Sequence, residues 1–241
     1  MKTATLLTMS ALVALAMSSC ETAKDKELKV RHAQDLYASA DYSEAIPILE
    51  KAAFEGDVNA QMTLAKAYDE GVGVTKNLGT AVMWYTKAAD QGNPRAQDNL
   101  GTCYIMGAGV SKNDETAVSW YQKAAAGSYP PALNNLGLCY LNGEGVKEDS
   151  TLAADYFRRA AQQGNANGQY NLGRCYYHAA GVPHDPELSK YWLKKAAEQG
   201  HQNAQAFMEE NALVPADPTL PSMGTGDAAM DSLPVVAPAP I

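Results

Sequence analysis

The sequence predicts an all-α fold, an α-solenoid of stacked helical hairpins, on three observations. Small and apolar residues return every 36 residues without insertion from 60 to 203. Within each unit their spacing of four, one and three positions places them on one face of a helix. Glycine-containing segments follow in register, and glycine commonly ends helices. Because one hairpin cannot bury its own apolar face, such units fold only as a stack.

The periodicity is carried by five sets of equivalent positions, each offset by 36 residues from one unit to the next. The sets are Ala60, Ala96, Ala132 and Ala204, with Gly168 filling the gap; Leu64, Leu100, Leu136 and Leu172; Tyr68, Tyr104, Tyr140 and Tyr176; Gly73-Val74, Gly109-Val110, Gly145-Val146 and Gly181-Val182; and Ala88-Ala89, Ala124-Ala125, Ala160-Ala161 and Ala196-Ala197. They define four units, residues 60–95, 96–131, 132–167 and 168–203.

Each unit is predicted to contain two helices. The first carries the recurring alanine, leucine and tyrosine. The second begins near Asp114 or Glu115 in the second unit, where acidic side chains complement the positive end of the helix dipole. The residue after the recurring leucine is always small, which indicates that the two helices of a hairpin cross closely there. These small residues are Ala65, Gly101, Gly137 and Gly173.

Shorter segments flank the four units. Residues 45–53 match the second helix of the later units, and with Ala40-Asp41-Tyr42 before them, residues 28–59 resemble a tetratricopeptide hairpin. Residues 204–213 are predicted to form a capping helix, because Ala204 and Met208 keep the register while Glu209 replaces the small residue. Residues 214–241 are rich in proline and small residues, so we predict a disordered tail.

The amino terminus has the pattern of an export signal. Lys2 is followed by an apolar run from Leu6 to Met17, too short to span a bilayer, and then by small residues before Cys20. The run into Cys20 resembles the lipobox of bacterial lipoproteins. This resemblance implies a signal peptide over 1–19, lipidation of Cys20 by acyl chains such as palmitate, and a linker over 20–27. The alternative is an ordinary signal peptide with a chance cysteine.

Charge and compartment follow from that prediction. The chain has a net charge of −8, and removal of residues 1–19 with their single lysine makes it −9. An acidic chain is a poor nucleic-acid binder, because phosphate contacts need clustered lysine and arginine. A lipid anchor implies membrane attachment in the cell envelope. The outer membrane or periplasm is the favoured location, and the inner membrane is the alternative.

Residues 60–203 resemble the Sel-like repeat family, a relative of the tetratricopeptide repeat. The resemblance rests on Ala-x-x-x-Leu-Gly-x-x-Tyr-x-x-Gly-x-Gly-Val followed by Ala-x-x-Trp-Tyr-x-Lys-Ala-Ala, which the unit starting at Ala96 matches almost completely. Departures occur at Ala179, Ser189 and Ser128. The resemblance implies a right-handed α-solenoid that binds a protein or peptide partner in the envelope, with no fixed ligand and no small-molecule cofactor.

Three cysteines share one repeat position: Cys103, Cys139 and Cys175. Equivalent positions in neighbouring hairpins lie roughly 9–10 Å apart, whereas disulfides need Cα separations of about 4.4–6.8 Å. We therefore predict three buried thiols that act as small core residues. A redox or metal cluster is the alternative. His178, His184 and Asp185 lie around the last loop between helices, but we expect surface histidines rather than a metal site.

The first helices of a tetratricopeptide-like stack line its concave face, which predicts the partner-binding residues. These are Asp98, Ile105, Met106, Asn134, Leu138, Leu141, Tyr170, Arg174 and Tyr177. Several are apolar where solvent favours polar residues, and contiguous exposed apolar patches usually mark binding sites. They form a groove for a peptide or helix, or alternatively they pack against neighbouring helices.

The sequence predicts no enzyme and no catalytic residue. Family relatives linked to penicillin binding would use Ser-x-x-Lys with Lys-Thr-Gly, and neither motif occurs. The leading prediction is a membrane-anchored scaffold for protein–protein interaction in the cell envelope. The alternative is a cell-wall-related enzyme or β-lactam-binding protein of the cysteine-rich Sel-like type.

Overall fold

The computed structural model describes residues 22–211 and residue 213, which contain eleven α-helices and no strand. The helices are α1 Ala23–Ala38, α2 Tyr42–Phe54, α3 Val58–Glu70, α4 Leu78–Asp90, α5 Pro94–Met106, α6 Asp114–Ala126, α7 Pro130–Asn142, α8 Ser150–Gln162, α9 Ala166–His178, α10 Pro186–Glu198 and α11 Gln202–Glu210. The predicted signal peptide, Cys20 and the 214–241 tail lie outside the described residues.

The chain divides into two compact units, one up to Gln91 and one from Gly92 onward. In the first unit α1 packs on α2, α2 on α3 and α3 on α4. In the second unit each helix from α5 to α11 packs on the next one. The α5–α6, α7–α8 and α9–α10 contacts lie within hairpins, and the α6–α7 and α8–α9 contacts join one hairpin to the following one. These consecutive antiparallel hairpins confirm the predicted all-α solenoid class.

Asparagine and aspartate caps determine where most helices begin. In seven helices the side-chain oxygen of an asparagine or aspartate just before the first helical residue accepts a hydrogen bond from the backbone N–H three residues later. The capping residues are Asp57, Asn77, Asn93, Asn113, Asp149, Asn165 and Asp185. Such a cap stabilises a helix by about 1 kcal/mol over alanine. The caps also recur at 36-residue intervals, a signal present in the sequence.

These caps shift several boundaries from the predicted ones. Helix α3 begins at Val58, two residues before the predicted unit 60–95, because Asp57 caps it. Helix α11 begins at Gln202 rather than 204, capped by the His201 ring. The predicted linker 20–27 is wrong from Ala23 onward, because Thr22 and Asp25 form a capping box that starts α1 there.

The small residue after the recurring leucine lies where the two helices of a hairpin are closest. A Cβ added at Gly101 would lie 2.6 Å from the Tyr121 ring on α6. At Gly137 it would lie 2.5 Å from the Phe157 ring on α8. Both distances are shorter than any carbon–carbon contact allows. The predicted close crossing is therefore confirmed in these two hairpins.

The loop inside each later hairpin has two left-handed positions with different roles. The first ends a helix: Gly143 has φ +71°, and Ala179 takes the equivalent place at φ 57°. In the loops after α7 and α9 the second contacts the preceding hairpin. A Cβ at Gly145, φ +70°, would overlap the backbone of Asp114 at the start of α6. The sequence predicted glycine only as a helix terminator and missed this contact between hairpins.

The recurring cysteines are core residues in two of three cases. Cys139 and Cys175 are buried free thiols, whereas Cys103 is only half-buried, which corrects the prediction of three buried thiols. Burial raises the pKa of the Cys139 thiol to about 12 and that of Cys175 to about 11. Since the thiolate is the reactive form, these two groups are chemically quiet at neutral pH.

Candidate interaction face

The predicted partner-binding residues lie on α5, α7 and α9, the first helices of three successive hairpins in the second unit. We call their outward side the first-helix face. The structure places these residues at very different depths. Met106 is 73% exposed, and Arg174 is also exposed. The other apolar and aromatic members are half-buried, namely Ile105, Leu138, Leu141, Tyr170 and Tyr177.

Asp98 and Asn134 are buried, at 8% and 4% exposure, so the expectation that both are exposed is wrong. The cause is a row of polar contacts between hairpins. Asn135 Nδ2 on α7 donates to Asp98 Oδ1 on α5 at 2.9 Å. Asn171 Nδ2 on α9 donates to Asn134 Oδ1 on α7 at 2.8 Å. We call Asp98, Asn134, Asn135 and Asn171 the polar ladder.

A signal for the polar ladder is present in the sequence. Asn99, Asn135 and Asn171 recur at 36-residue intervals on the first helices. Helical periodicity alone cannot show that a neighbouring hairpin covers the residue just before each of them. Asparagine side chains that bond across hairpins hold α5, α7 and α9 in a set register, and this register positions the first-helix face.

The half-buried apolar residues belong both to the core and to the surface. Ile105 packs against a buried cluster of α6, α7 and α8 that includes Tyr121 and Leu136. Leu138 and Leu141 pack against the next cluster, around Phe157 on α8. These side chains therefore pack partly as core residues and stay partly exposed. That they form a groove for a partner stays a prediction.

An aromatic group closes the carboxyl-terminal end of this face. The Tyr170 ring stacks on His201 with centroids 4.6 Å apart, and the Arg174 guanidinium lies 5.5 Å from the Tyr170 centroid. Tyr177 donates its hydroxyl to Asn211 Oδ1 at 2.8 Å and contacts Phe207 of α11. The capping helix α11 thus holds both predicted tyrosines in place.

Among the titratable groups of this face, Asp98 has the largest pKa shift. Burial raises the pKa of its carboxyl to about 6, and the hydrogen bond from Asn135 opposes the shift. Elsewhere in the described residues no group of three or more His, Cys, Asp or Glu side chains is placed to hold a metal ion. His178 and His184 both contact the Tyr177 ring instead.

None of the helices between residues 22 and 211 is both long and apolar enough to cross a bilayer.

Comparisons with known proteins agree with this architecture. The Sel1 repeat family model matches residues 58–93, 94–129, 130–165 and 166–201, more than half of the chain. A Sel1 repeat protein from Oxalobacter formigenes is similar at 30% identity and a TM-score of 0.73, over 85% of this chain and 86% of that one. A comparison with curated proteins gave no match.

A second solved structure is similar over a longer protein. It is a protective antigen present in uropathogenic Escherichia coli strains that displays an SLR fold, with 31% identity and a TM-score of 0.70. The alignment covers 80% of this chain and 43% of that antigen. Four matched repeats in register, together with these structural likenesses, settle the assignment. The chain belongs to the Sel1 repeat family.

Proposed function

We propose that this protein is a lipid-anchored scaffold of the bacterial cell envelope that binds a protein partner on its first-helix face. Proteins built from Sel1 repeats are generally protein-interaction scaffolds and are typically non-enzymatic. The anchor rests on the sequence around Cys20, and the partner site rests on the geometry of α5, α7 and α9.

The observation that carries the partner site is the apolar surface along the seams between these hairpins. Met106 is largely exposed at the end of α5, and Leu138 and Leu141 on α7 leave part of their surface uncovered. Burial of apolar surface contributes about 25 cal/mol per Å². A partner that covers this strip gains that contribution, and the polar ladder beneath keeps the strip rigid.

Replacing Met106 by aspartate is expected to remove most partner binding without unfolding the protein. A charge in the middle of an apolar contact must be desolvated when the partner binds, and this costs several kcal/mol. Met106 suits the test better than Leu138 or Leu141, because aspartate at those half-buried positions would also weaken packing. The measurement is affinity capture from solubilised envelopes with quantitative mass spectrometry.

The matched control for this test is Met83→Asp, which makes the same change at another exposed methionine, on α4. Proteins retained by the wild type and by Met83→Asp but lost from Met106→Asp are the expected partners. Thermal melts of both variants should stay within a few degrees of wild type. An unchanged set of captured proteins in Met106→Asp would contradict the proposed face.

Replacing Cys20 by serine is expected to release the protein from membranes. Each buried CH₂ of an acyl chain contributes about 0.8 kcal/mol, so two or more chains hold a protein stably on a bilayer. Wild type should incorporate labelled palmitate and sediment with membranes, and Cys20→Ser should do neither. Cys103→Ser, a change in a half-buried thiol, should behave as wild type. Palmitate label in Cys20→Ser would refute the anchor.

A further inference from the structure

We infer that Asp98 is the docking point for a cationic side chain, lysine or arginine, of the partner that lies on the first-helix face. The inference rests on the proposed function and adds the chemistry by which the partner is recognised. Four observations carry it: the open oxygen of the carboxylate, its lack of an ion pair, its surroundings, and the residues at the same position in the other repeats.

The carboxylate of Asp98 is only half satisfied. Oδ1 accepts the hydrogen bond from Asn135 at 2.9 Å. Oδ2 makes no hydrogen bond with the described residues, and it is not one of the fully buried polar atoms that lack a partner. One oxygen is therefore held by the polar ladder, and the other remains reachable from solvent.

A comparison within the same unit shows that the charge of Asp98 is uncompensated. Asp155 on α8 is buried to a similar degree, but Arg158 forms an ion pair with it at 3.1 Å. No lysine or arginine of the described residues forms such a pair with Asp98. Buried carboxylates are usually paired, because an isolated ion loses its hydration. A partner that brings a cation would supply the missing half of the pair.

The surroundings of Asp98 suit a long cationic side chain. The Thr102 hydroxyl donates to the Asp98 carbonyl at 3.2 Å and lies 3.1 Å from the Tyr121 hydroxyl. Burial is the main cause of the raised pKa of the Tyr121 and Tyr129 hydroxyls, and the Asp98 carboxylate raises both further. Aromatic rings favour a neighbouring cation. Ile105 follows Asp98 by seven residues, two helical turns along the same side of α5. An aliphatic stem can lie on that apolar surface while its charged end reaches Oδ2.

The fold does not require a carboxylate here. The equivalent residues of the next two repeats are Asn134 and Tyr170, both uncharged, and Asn134 accepts the same kind of ladder hydrogen bond. An asparagine at position 98 would keep the bond from Asn135. The negative charge therefore serves a purpose other than the register between α5 and α7, which is consistent with recognition of a cation.

Selection of peptides by the purified full-length protein tests the inference. Panning a phage library of 12-residue peptides is expected to enrich sequences with a lysine or arginine among apolar residues. Loss of one partner from a desolvated charge pair costs well over tenfold in affinity. Fluorescence anisotropy should therefore show at least tenfold weaker binding of an enriched peptide to Asp98→Asn. An analogue with norleucine in place of the basic residue should bind both proteins equally.

The control variant is Asp149→Asn, which makes the same change at a helix cap where asparagine also serves, as Asn113 does. It should bind the basic peptide as wild type does. Peptides that bind wild type and Asp98→Asn equally but lose affinity for Met106→Asp overturn this inference alone. Peptides that bind Met106→Asp unchanged, or a failure to enrich any peptide, overturn the proposed face and this inference together.

Discussion

Replacing Gly145 by alanine is expected to lower the free energy of unfolding by about 3–5 kcal/mol. Gly145 has φ +70°, a left-handed conformation that disfavours any side chain. Its added methyl group would also overlap the backbone of Asp114, at the start of α6 in the preceding hairpin. Backbone atoms at a helix start cannot swing aside as a side-chain end can, so the two hairpins must separate.

A nearby glycine supplies the control for that measurement. Gly143 lies two residues earlier in the same loop, at φ +71°, but a Cβ there would meet Glu148 Cβ at an ordinary 3.6 Å. The equivalent residue of the next repeat is already alanine, Ala179, in the same conformation. Gly143→Ala should therefore cost only about 1 kcal/mol. Urea titrations of both variants decide the matter, and equal losses would show that contact between hairpins is not the cause.

Replacing Asp98 by asparagine is expected to stabilise the protein by about 3 kcal/mol above pH 7. The pKa of this carboxyl rises from 3.8 to about 6 on folding, and each pKa unit corresponds to about 1.4 kcal/mol. The shift means that folding penalises the charged form of the carboxyl relative to the unfolded chain. Asparagine keeps the hydrogen bond from Asn135 and removes the unfavourable burial of a charge.

The direction of the pKa shift determines how the stability difference between Asp98→Asn and wild type changes with pH. Because the folded pKa lies above the unfolded one, the favourable contribution of Asp98 is fully present below about pH 4 and is lost as pH rises through about 6. The difference in stability between Asp98→Asn and wild type should thus grow from pH 4 to pH 7 and then stay level. Urea midpoints measured at half-unit pH intervals test it. A difference that does not change with pH would contradict the assigned burial.

The same residue links stability to binding. A variant that folds more stably yet recognises basic peptides less well would place Asp98 among residues kept for function at a cost in stability. The neutral residues at the equivalent positions of the next two repeats, Asn134 and Tyr170, would then mark where the partner carries no cation. Peptide binding to the single variant and its norleucine analogue separates this role from a general effect on the fold.

The sequence by itself determined the class of fold and its period. Leu64, Leu100, Leu136 and Leu172 return every 36 residues, and small residues follow each of them where two helices cross. Such spacing reports which side of one helix is apolar, and that property is local. The capping residues and the asparagines of the polar ladder also recur every 36 residues. Their roles can be recognised only once the helix starts are known.

Only the tertiary structure decided which side chains of the first-helix face are covered. Asp98 and Met106 both lie on α5, about two turns apart, yet one is 8% exposed and the other 73%. Likewise Gly143 and Gly145 look equivalent in the loop, but only Gly145 meets the preceding hairpin. Burial of this kind depends on the offset and rotation of one hairpin against the next. That relation joins residues about 36 positions apart, and no helical periodicity within a single repeat contains it.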